Sequence, residues 1–281
     1  MKHTRSFSKK KQALFEMLAQ QERPDSSSIS VITTRDKTKP APLSFAQQRL
    51  WFLDQLEPGS SAYNISRVLR LTGYLNAAAL EQSIGEIIRR HEVLRTAFIT
   101  QNDRPFQRIA PSVTFTLPAV NLSTIPEEQR ESRAQQLATE EERRPFDLTT
   151  GPLLRVILLQ LKEEEHLLLV TMHHIITDGW SMSIFDRELS ALYNAFSTGL
   201  PSPLPELSIQ YADFAVWQRQ YMQGEVLKQQ MSYWRDQLGG ELPVLELPTD
   251  RPRPAVQSFR GSTQQFILSG ELTKGLRDLS Q

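Results

Sequence analysis

The chain of 281 residues contains no cysteine, which excludes disulfide bonds, thiolate metal ligands and a cysteine nucleophile. It also lacks an excess of either charge, since lysine plus arginine and aspartate plus glutamate number 32 each. This balance argues against a nucleic-acid-binding protein and against a polybasic membrane anchor. No apolar run approaches the length of a membrane-spanning helix, and no apolar segment follows the basic N-terminus. We therefore expect a soluble cytoplasmic protein whose 39% apolar residues form a sizeable core.

The composition along the chain predicts three parts. Residues 1–42 are expected to form a short amphipathic helix at residues 9–20 and a linker rich in serine, threonine and proline. Residues 43–238 are expected to form a globular lobe. Residues 239–281 are expected to form a proline-rich crossover, a strand near residues 264–268 and a helix near residues 272–279. Because these last elements are too few to form a core, we expect their partners in a longer chain.

Helical and strand patterns alternate through the lobe. Apolar residues at helical spacing predict helices at residues 76–91, 124–144, 180–196, 209–222 and 225–238. Asn76 is the expected N-cap of the first helix, and Thr124 with Glu127 is expected to form a capping box on the second. Short aliphatic runs predict strands at residues 94–101, 106–109, 153–161 and 166–173.

The most informative feature is a pair of adjacent histidines, His173 and His174, after the aliphatic run at residues 167–171. The run predicts a buried strand, and imidazole is the side chain best matched to proton transfer near neutral pH. Neighbouring strand residues point to opposite faces, so the two histidines are not expected to share a metal ion. The same alternation predicts that only one of them faces a reacting cavity.

An Asp-Gly pair follows this strand and leads into the next predicted helix. Asp178 is expected either to orient His174, as the third member of a catalytic triad does, or to pair with a buried arginine and fix the loop. Gly179 permits a positive φ or a close approach to the backbone. Trp180 and Ser181 open the helix, and its free N–H groups would favour developing negative charge in the same cavity.

The sequence has no Gly-x-Ser-x-Gly elbow and no glycine-rich phosphate loop. Without a protein nucleophile or a cofactor motif, the simplest chemistry is a direct transfer. In that reaction a histidine deprotonates or positions an amine or hydroxyl group, which attacks an acyl carbon delivered by another molecule.

Four segments of the chain together resemble the condensation domains of nonribosomal peptide synthetases, in the order in which that family has them. Residues 173–181 resemble the active-site motif of the family. Residues 43–53, 90–98 and 211–217 resemble its first, second and fourth motifs, so the resemblance covers about residues 43–281.

The resemblance implies an α/β (α+β) fold like that of chloramphenicol acetyltransferase, in which each of two lobes has a mixed sheet flanked by helices. The later motifs of the family are missing, so the second lobe is expected to be truncated. The implied activity is that of an amide-forming acyltransferase of secondary metabolite biosynthesis. It joins aminoacyl or peptidyl groups that are carried on phosphopantetheine. The implied partners are donor and acceptor carrier proteins and adjacent synthetase modules, with no nucleic acid, no membrane, and no cofactor or metal bound by the chain itself.

The resemblance also assigns roles to single residues. His174 would be the catalytic or positioning imidazole, with His173 supporting it. Gly179 would lie beside the reacting thioester, and Asp178 would be structural and paired with Arg95. The residues expected to support the site are Arg95, Trp180 and Ser181.

Other residues of the motifs are expected to pack rather than to react. Gln47, Gln48 and Arg49 are expected to organise the core of the lobe or its hinge. The aromatic residues of the fourth motif stand at helical spacing and are expected to be packing residues; they are Tyr211, Phe214 and Trp217.

Three alternative functions remain open. The chain could be an epimerisation domain, a free-standing acyltransferase with the same motif, or a non-catalytic module that docks carrier proteins. With its second lobe truncated, the chain is expected to be inactive alone or a fragment of a larger enzyme.

Overall fold

A computed structural model gives the structure of residues 31–102, 104–252, 261, 264 and 266–280. Its helices are α1 (Phe45–Leu56), α2 (Ala77–Arg90), α3 (Glu127–Arg143), α4 (Gly179–Ser197), α5 (Tyr211–Tyr221), α6 (Gly224–Leu238) and α7 (Gly270–Leu279). Its strands are β1 (Ala41–Pro42), β2 (Asn64–Thr72), β3 (Thr96–Gln101), β4 (Arg104–Ile109), β5 (Ala119–Asn121), β6 (Leu154–Lys162) and β7 (Glu165–His173). The chain forms two compact units that divide after Gln237. The helix predicted at residues 9–20 lies outside the described residues.

The strands form two sheets in the first unit. The larger sheet has four strands in the order β2-β7-β6-β5. It is mixed, because β5 runs parallel to β6 while the other neighbours are antiparallel. The smaller, antiparallel sheet has the order β1-β4-β3. A mixed sheet flanked by helices confirms the predicted class of fold.

Helices cover both faces of the four-stranded sheet. Leu168, Val170 and Met172 of β7 pack with residues of α2 and α4 into one apolar cluster. The alternate residues Leu167 and Leu169 pack with residues of α3 into a second cluster. A strand buried on both faces has no polar alternation, which explains the continuous aliphatic run. The same alternation sets the directions of the two histidines at the end of β7.

The caps of two helices separate a correct prediction from a wrong one. Asn76 caps α2, and its side chain accepts the N–H of Ala79 at 3.0 Å, as predicted. The capping box predicted at Thr124 and Glu127 is wrong, because α3 begins after Pro126 with no side-chain cap. The Thr124 hydroxyl donates instead to the carbonyl of Asn121, three residues earlier.

The ordered fold begins before the predicted end of the linker at residue 42. Ala41 and Pro42 form β1 and pair with β4. Arg35 lies still earlier and makes two ion pairs with buried carboxylates. The prediction of a linker up to residue 42 is therefore wrong for its last part. A polar, proline-rich composition also suits a short edge strand and a buried ion pair.

Besides β1, two further strands were missed, and one was wrongly predicted. β2 is half exposed and carries Arg67 and Arg70, which interrupt its apolar pattern. β5 has only three residues, all exposed. The strand predicted at residues 264–268 is absent from the described residues 264 and 266–269. In the second unit, Ser269 instead caps α7 by accepting the N–H of Leu272 at 3.2 Å.

None of the helices in the described part of the chain combines the length and the apolarity needed to cross a membrane.

Candidate active site

The chain turns sharply after β7, and residues 173–181, here called the histidine loop, join β7 to α4. His173 is buried, with 3% of its surface exposed. Its Nδ1 accepts the N–H of Ile175 at 3.1 Å, and its ring lies between those of Tyr63 and Phe146. Burial, with a smaller contribution from the nearby His174, lowers the pKa of His173 from 6.5 to about 4. His173 is therefore neutral near pH 7 and supports the loop from inside.

His174 points to the opposite side and is exposed. Its backbone N–H donates to the carbonyl of Tyr63 at 2.8 Å. Its Nδ1 lies 2.7 Å from the carbonyl oxygen of Thr177. Because a carbonyl can only accept, Nδ1 must carry the hydrogen, and the neutral ring then has its lone pair on Nε2. The two histidines therefore diverge as strand alternation predicts.

His174 borders a cavity of about 360 Å³. Residues of α1, α2 and α4 and of the loop at 207–211 form its walls. The lining is mainly apolar, with a few polar side chains, as in many small-molecule sites. The polar and titratable lining residues include Gln47, His91, His174, Asp178, Ser181 and Gln210.

Asp178 caps α4 rather than pairing with an arginine. Its Oδ1 accepts the N–H of Ser181 at 2.8 Å and the hydroxyl of Ser181 at 2.6 Å. These two hydrogen bonds, and less strongly the nearby His174, lower the pKa of Asp178. The expected pair with Arg95 is wrong. Arg95 instead donates to the carbonyl of Ala110, just after β4, and lies 4.0 Å from Glu92 of its own turn.

The carbonyl of Thr177 orients His174. In the sequence, only Asp178 was a candidate for this role, with pairing to a buried arginine as the alternative for Asp178. Any residue has a backbone carbonyl, so no sequence signal distinguishes Thr177. Asp178 nevertheless carried a local signal, because an Asp before a helix is a preferred N-cap. The helix cap is a short-range contact, and it uses Oδ1 of this carboxylate.

Gly179, Trp180 and Ser181 form the first turn of α4. Gly179 does not have a positive φ, and a Cβ built there would meet no atom within 4 Å. The first of the two reasons proposed for this glycine is therefore wrong, and close approach of another molecule stays a prediction. Trp180 is 80% exposed. The Ser181 N–H already donates to Asp178, so it is not free to bind developing negative charge.

Residues 90–95, here called the charged turn, contribute His91, Val93 and Leu94 to the cavity lining. His91 Nε2 lies 2.9 Å from Glu188 Oε2, and Arg90 Nε donates to the same oxygen at 3.3 Å. Burial would raise the pKa of Glu188, but the hydrogen bonds from Arg90 and His91 hold it below its usual value. Sequence analysis missed Glu188. A signal existed, since this carboxylate stands on the apolar face of its helix beside Leu189 and Leu192.

Residues of the first and fourth motifs support the histidine loop. Gln47 is buried, and its Nε2 donates to the carbonyl of Ile175 at 3.3 Å. The Tyr211 hydroxyl lies 3.1 Å from that of Ser44, and Tyr211 also borders the cavity. Tyr211 contacts the ring of Phe214, which contacts Trp217 in turn. Packing therefore accounts for the last two aromatics, while Tyr211 reaches the site.

Within the described residues, no group of three or more histidine, cysteine, aspartate and glutamate side chains lies close enough to hold a metal ion.

The sequence pattern described as "Condensation domain" matches residues 37–281. The chain therefore belongs to the condensation domain family. Phosphinothricin tripeptide synthetase PhsC of Streptomyces viridochromogenes is 44% identical over 275 residues, 98% of this chain and 25% of that protein. A linear gramicidin synthase of Brevibacillus parabrevis is 49% identical over 240 residues, 85% of this chain and 3% of that protein. The chain thus spans a quarter or less of these two relatives.

Solved structures show the same fold. The X-domain in the complex of the X-domain and OxyB from teicoplanin biosynthesis superposes with a TM-score of 0.72 at 33% identity. That match covers 82% of this chain and 50% of the solved chain. The starter condensation domain of rhizomide synthetase RzmA gives a TM-score of 0.65 at 25% identity, covering 72% of this chain and 48% of that one. The chain therefore spans about half the length of each solved domain.

Proposed function

We propose that this chain carries the imidazole-bearing half of a site that forms peptide bonds in nonribosomal peptide biosynthesis. The donor is an aminoacyl or peptidyl thioester, and the acceptor is an aminoacyl group. Both are carried on phosphopantetheine by partner carrier proteins from the same or adjacent synthetase modules. The observation that carries the proposal is the hydrogen bond of 2.7 Å between His174 Nδ1 and the Thr177 carbonyl, which leaves the lone pair of this cavity-lining ring on Nε2.

The proposed reaction needs one base and close positioning of two substrates. Nε2 of His174 accepts a proton from the acceptor amine while the amine nitrogen attacks the donor carbonyl carbon. A C–N bond forms and the C–S bond breaks, and the departing thiolate receives the proton. A positioned base contributes roughly 10²–10⁴-fold to the rate. Holding the two carried groups in register supplies the rest.

The test uses donor and acceptor carrier proteins loaded with amino acids, with mass spectrometry to detect the dipeptidyl product. His174→Ala is expected to lower the rate roughly 10²–10⁴-fold. The melting temperature should hardly change, because His174 is exposed. The control is Arg187→Ala, an exposed position on α4, the helix that follows the histidine loop, which should retain the wild-type rate. Unchanged turnover in His174→Ala would remove the assignment of His174.

A second candidate is a non-catalytic module that docks a partner protein. It is favoured by the TM-score of 0.72 to the teicoplanin X-domain, which was solved in complex with OxyB. The same assay separates the candidates. Binding of carrier proteins with no product from wild type or from any variant supports docking. A racemised donor without a new bond supports epimerisation, which the histidine motif alone does not distinguish from condensation.

A further inference from the structure

Arg35 lies two residues before the family match begins at residue 37, yet only 7% of its side chain is exposed. Its guanidinium joins two buried carboxylates from different elements. Nη2 donates to Glu92 Oε2 at 2.7 Å, and Nη1 donates to Asp213 Oδ1 at 2.8 Å. The backbone N–H of Arg35 also donates to Asp213 Oδ1, at 3.1 Å. Three hydrogen bonds therefore fix this one residue between two parts of the fold.

Each of the two carboxylates is the chain neighbour or the hydrogen-bond partner of a residue that lines the cavity at His174. Glu92 follows His91, which lines the cavity. Asp213 lies in the first turn of α5 and accepts the N–H of Gln210 at 2.8 Å. Gln210 also lines the cavity. A single cation thus holds the charged turn and the start of α5 at a fixed separation.

Gln210 makes a second link between the same two walls. Its Oε1 accepts the N–H of Glu92 at 3.0 Å, and its Nε2 donates to the carbonyl of Arg90 at 2.9 Å. Neutral hydrogen bonds of this kind need correct spacing, because they weaken steeply with distance and angle. The ion pairs of Arg35 supply that spacing.

Neighbouring cations do not duplicate the part played by Arg35. Lys37 lies 3.3 Å from Glu92 Oε1, but its side chain is 68% exposed. Among the ion pairs of the described residues, Arg35 is the only cation that contacts Asp213. Removing the guanidinium would leave Asp213 buried without a counter-ion, which favours movement of the start of α5 toward water.

We infer that Arg35 is a positioning residue, which ties the segment before β1 to two walls of the cavity and holds them in register around His174. Its effect on catalysis rests on the proposed function. Its effect on the cavity walls rests on the contacts alone. The two effects therefore need separate measurements.

The first measurement is the rate at which diethyl pyrocarbonate modifies each histidine, read by peptide mass spectrometry on the full chain. Arg35→Met should raise the rate at His91 several-fold, because the turn that holds His91 against Glu188 loosens. His166, buried in the four-stranded sheet, should keep its wild-type rate and so report that the sheet stays folded. The control is Lys39→Met, which removes an exposed cation whose ion pair among the described residues is with Asp36.

Arg35→Lys is the second variant, because lysine keeps the charge but lacks the planar fork that reaches both carboxylates. It should also raise the rate at His91, by less than Arg35→Met does. If Arg35→Met does not fold, Arg35→Lys decides the question. A wild-type rate at His91 in the folded variant overturns the inference. So does an equal rise at His166, since that would mean general loosening.

The second measurement is kcat/KM for product formation with loaded carrier proteins. Displacement of a site wall by about 1 Å can lower a rate by roughly 10²-fold. At a temperature below its melting temperature, Arg35→Met should therefore have a kcat/KM lower than that of wild type by up to this factor. An active wild type with an equally active Arg35→Met overturns the positioning role. If the wild-type chain alone forms no product, as expected of an inactive fragment, the modification rates decide the role of Arg35.

Discussion

The histidine loop and the charged turn line the same cavity, but different forces hold them. In the histidine loop, backbone groups and a local helix cap make the contacts, and no ion pair joins residues 173–181 in the described part of the chain. In the charged turn, buried ion pairs reach α4 and Arg35 in the segment before β1, and Arg35 in turn pairs with Asp213 of α5. The loop therefore depends on local geometry, whereas the turn depends on charged partners far away in the sequence.

The difference has an energetic consequence. Buried ions are costly without their partners, so the turn should be sensitive to any single change of charge. Net contributions of neutral hydrogen bonds are only about 0.5–1.5 kcal/mol each, so the loop should lose its contacts one at a time. A single substitution should therefore destabilise the charged turn strongly, whereas the histidine loop should lose stability in small steps.

Glu188→Gln should disrupt the ion pairs of the charged turn and give the largest loss of stability. It leaves the buried guanidinium of Arg90 without a carboxylate, which should cost on the order of 3 kcal/mol of the free energy of unfolding. Urea unfolding followed by circular dichroism measures the loss. The matched control is Glu86→Gln, whose partner Arg89 is half exposed, with an expected loss below about 1 kcal/mol. Equal losses of unfolding free energy in the two variants would show that buried ion pairs do not stabilise the charged turn.

Lowering the pH should destabilise the histidine loop, because His173 is buried in its neutral form. Its pKa is about 4 in the folded chain, whereas an exposed histidine has an ordinary pKa of 6.5. Between these values the unfolded chain binds a proton that the folded chain does not, so stability is full above pH 6.5 and is lost as the pH falls toward 4. At about 1.36 kcal/mol for each pH unit, the total loss should reach about 3 kcal/mol.

Unfolding free energies measured in urea across this pH range test the prediction. His173→Phe keeps an aromatic ring between Tyr63 and Phe146 but cannot titrate, so its stability should fall less steeply with acid. Burial also lowers the pKa of His166, and that residue gives a remaining loss in the same direction in both proteins. The same slope in wild type and His173→Phe would contradict the assignment.

The sequence predicted what depends on short periods, and it missed what depends on distant partners. Strand alternation predicted that His173 and His174 diverge, and the cap of α2 by Asn76 was predicted from its own turn. The ion pair implied for Asp178 and Arg95 failed, because a helix cap three residues away was available to Asp178. Arg35 gave no signal, since its partners lie 57 and 178 positions along the chain.

Asp178 offers a smaller test, since it combines a helix cap with a charge near His174. Asp178→Ala should lower the free energy of unfolding by about 1 kcal/mol through loss of the cap. Asp178→Asn should restore most of that stability, because asparagine caps helices as well. Thermal unfolding and product formation are measured on both. A stable Asp178→Asn that is inactive would argue that the carboxylate acts on the reaction, and not only on the loop.

Gly179→Ala should have the smallest effect on stability and so isolates contact with a substrate. Its φ is not positive, and the added methyl group meets no protein atom within 4 Å. Replacing glycine where the backbone tolerates alanine changes stability by at most about 1 kcal/mol, usually in the favourable direction. If a thioester approaches this backbone, the methyl group should lower kcat/KM in the carrier assay while the melting temperature is kept. Full activity would mean that the reacting group does not lie in the open space beside Gly179. Of these two residues of the histidine loop, only His174 would then contact the substrate.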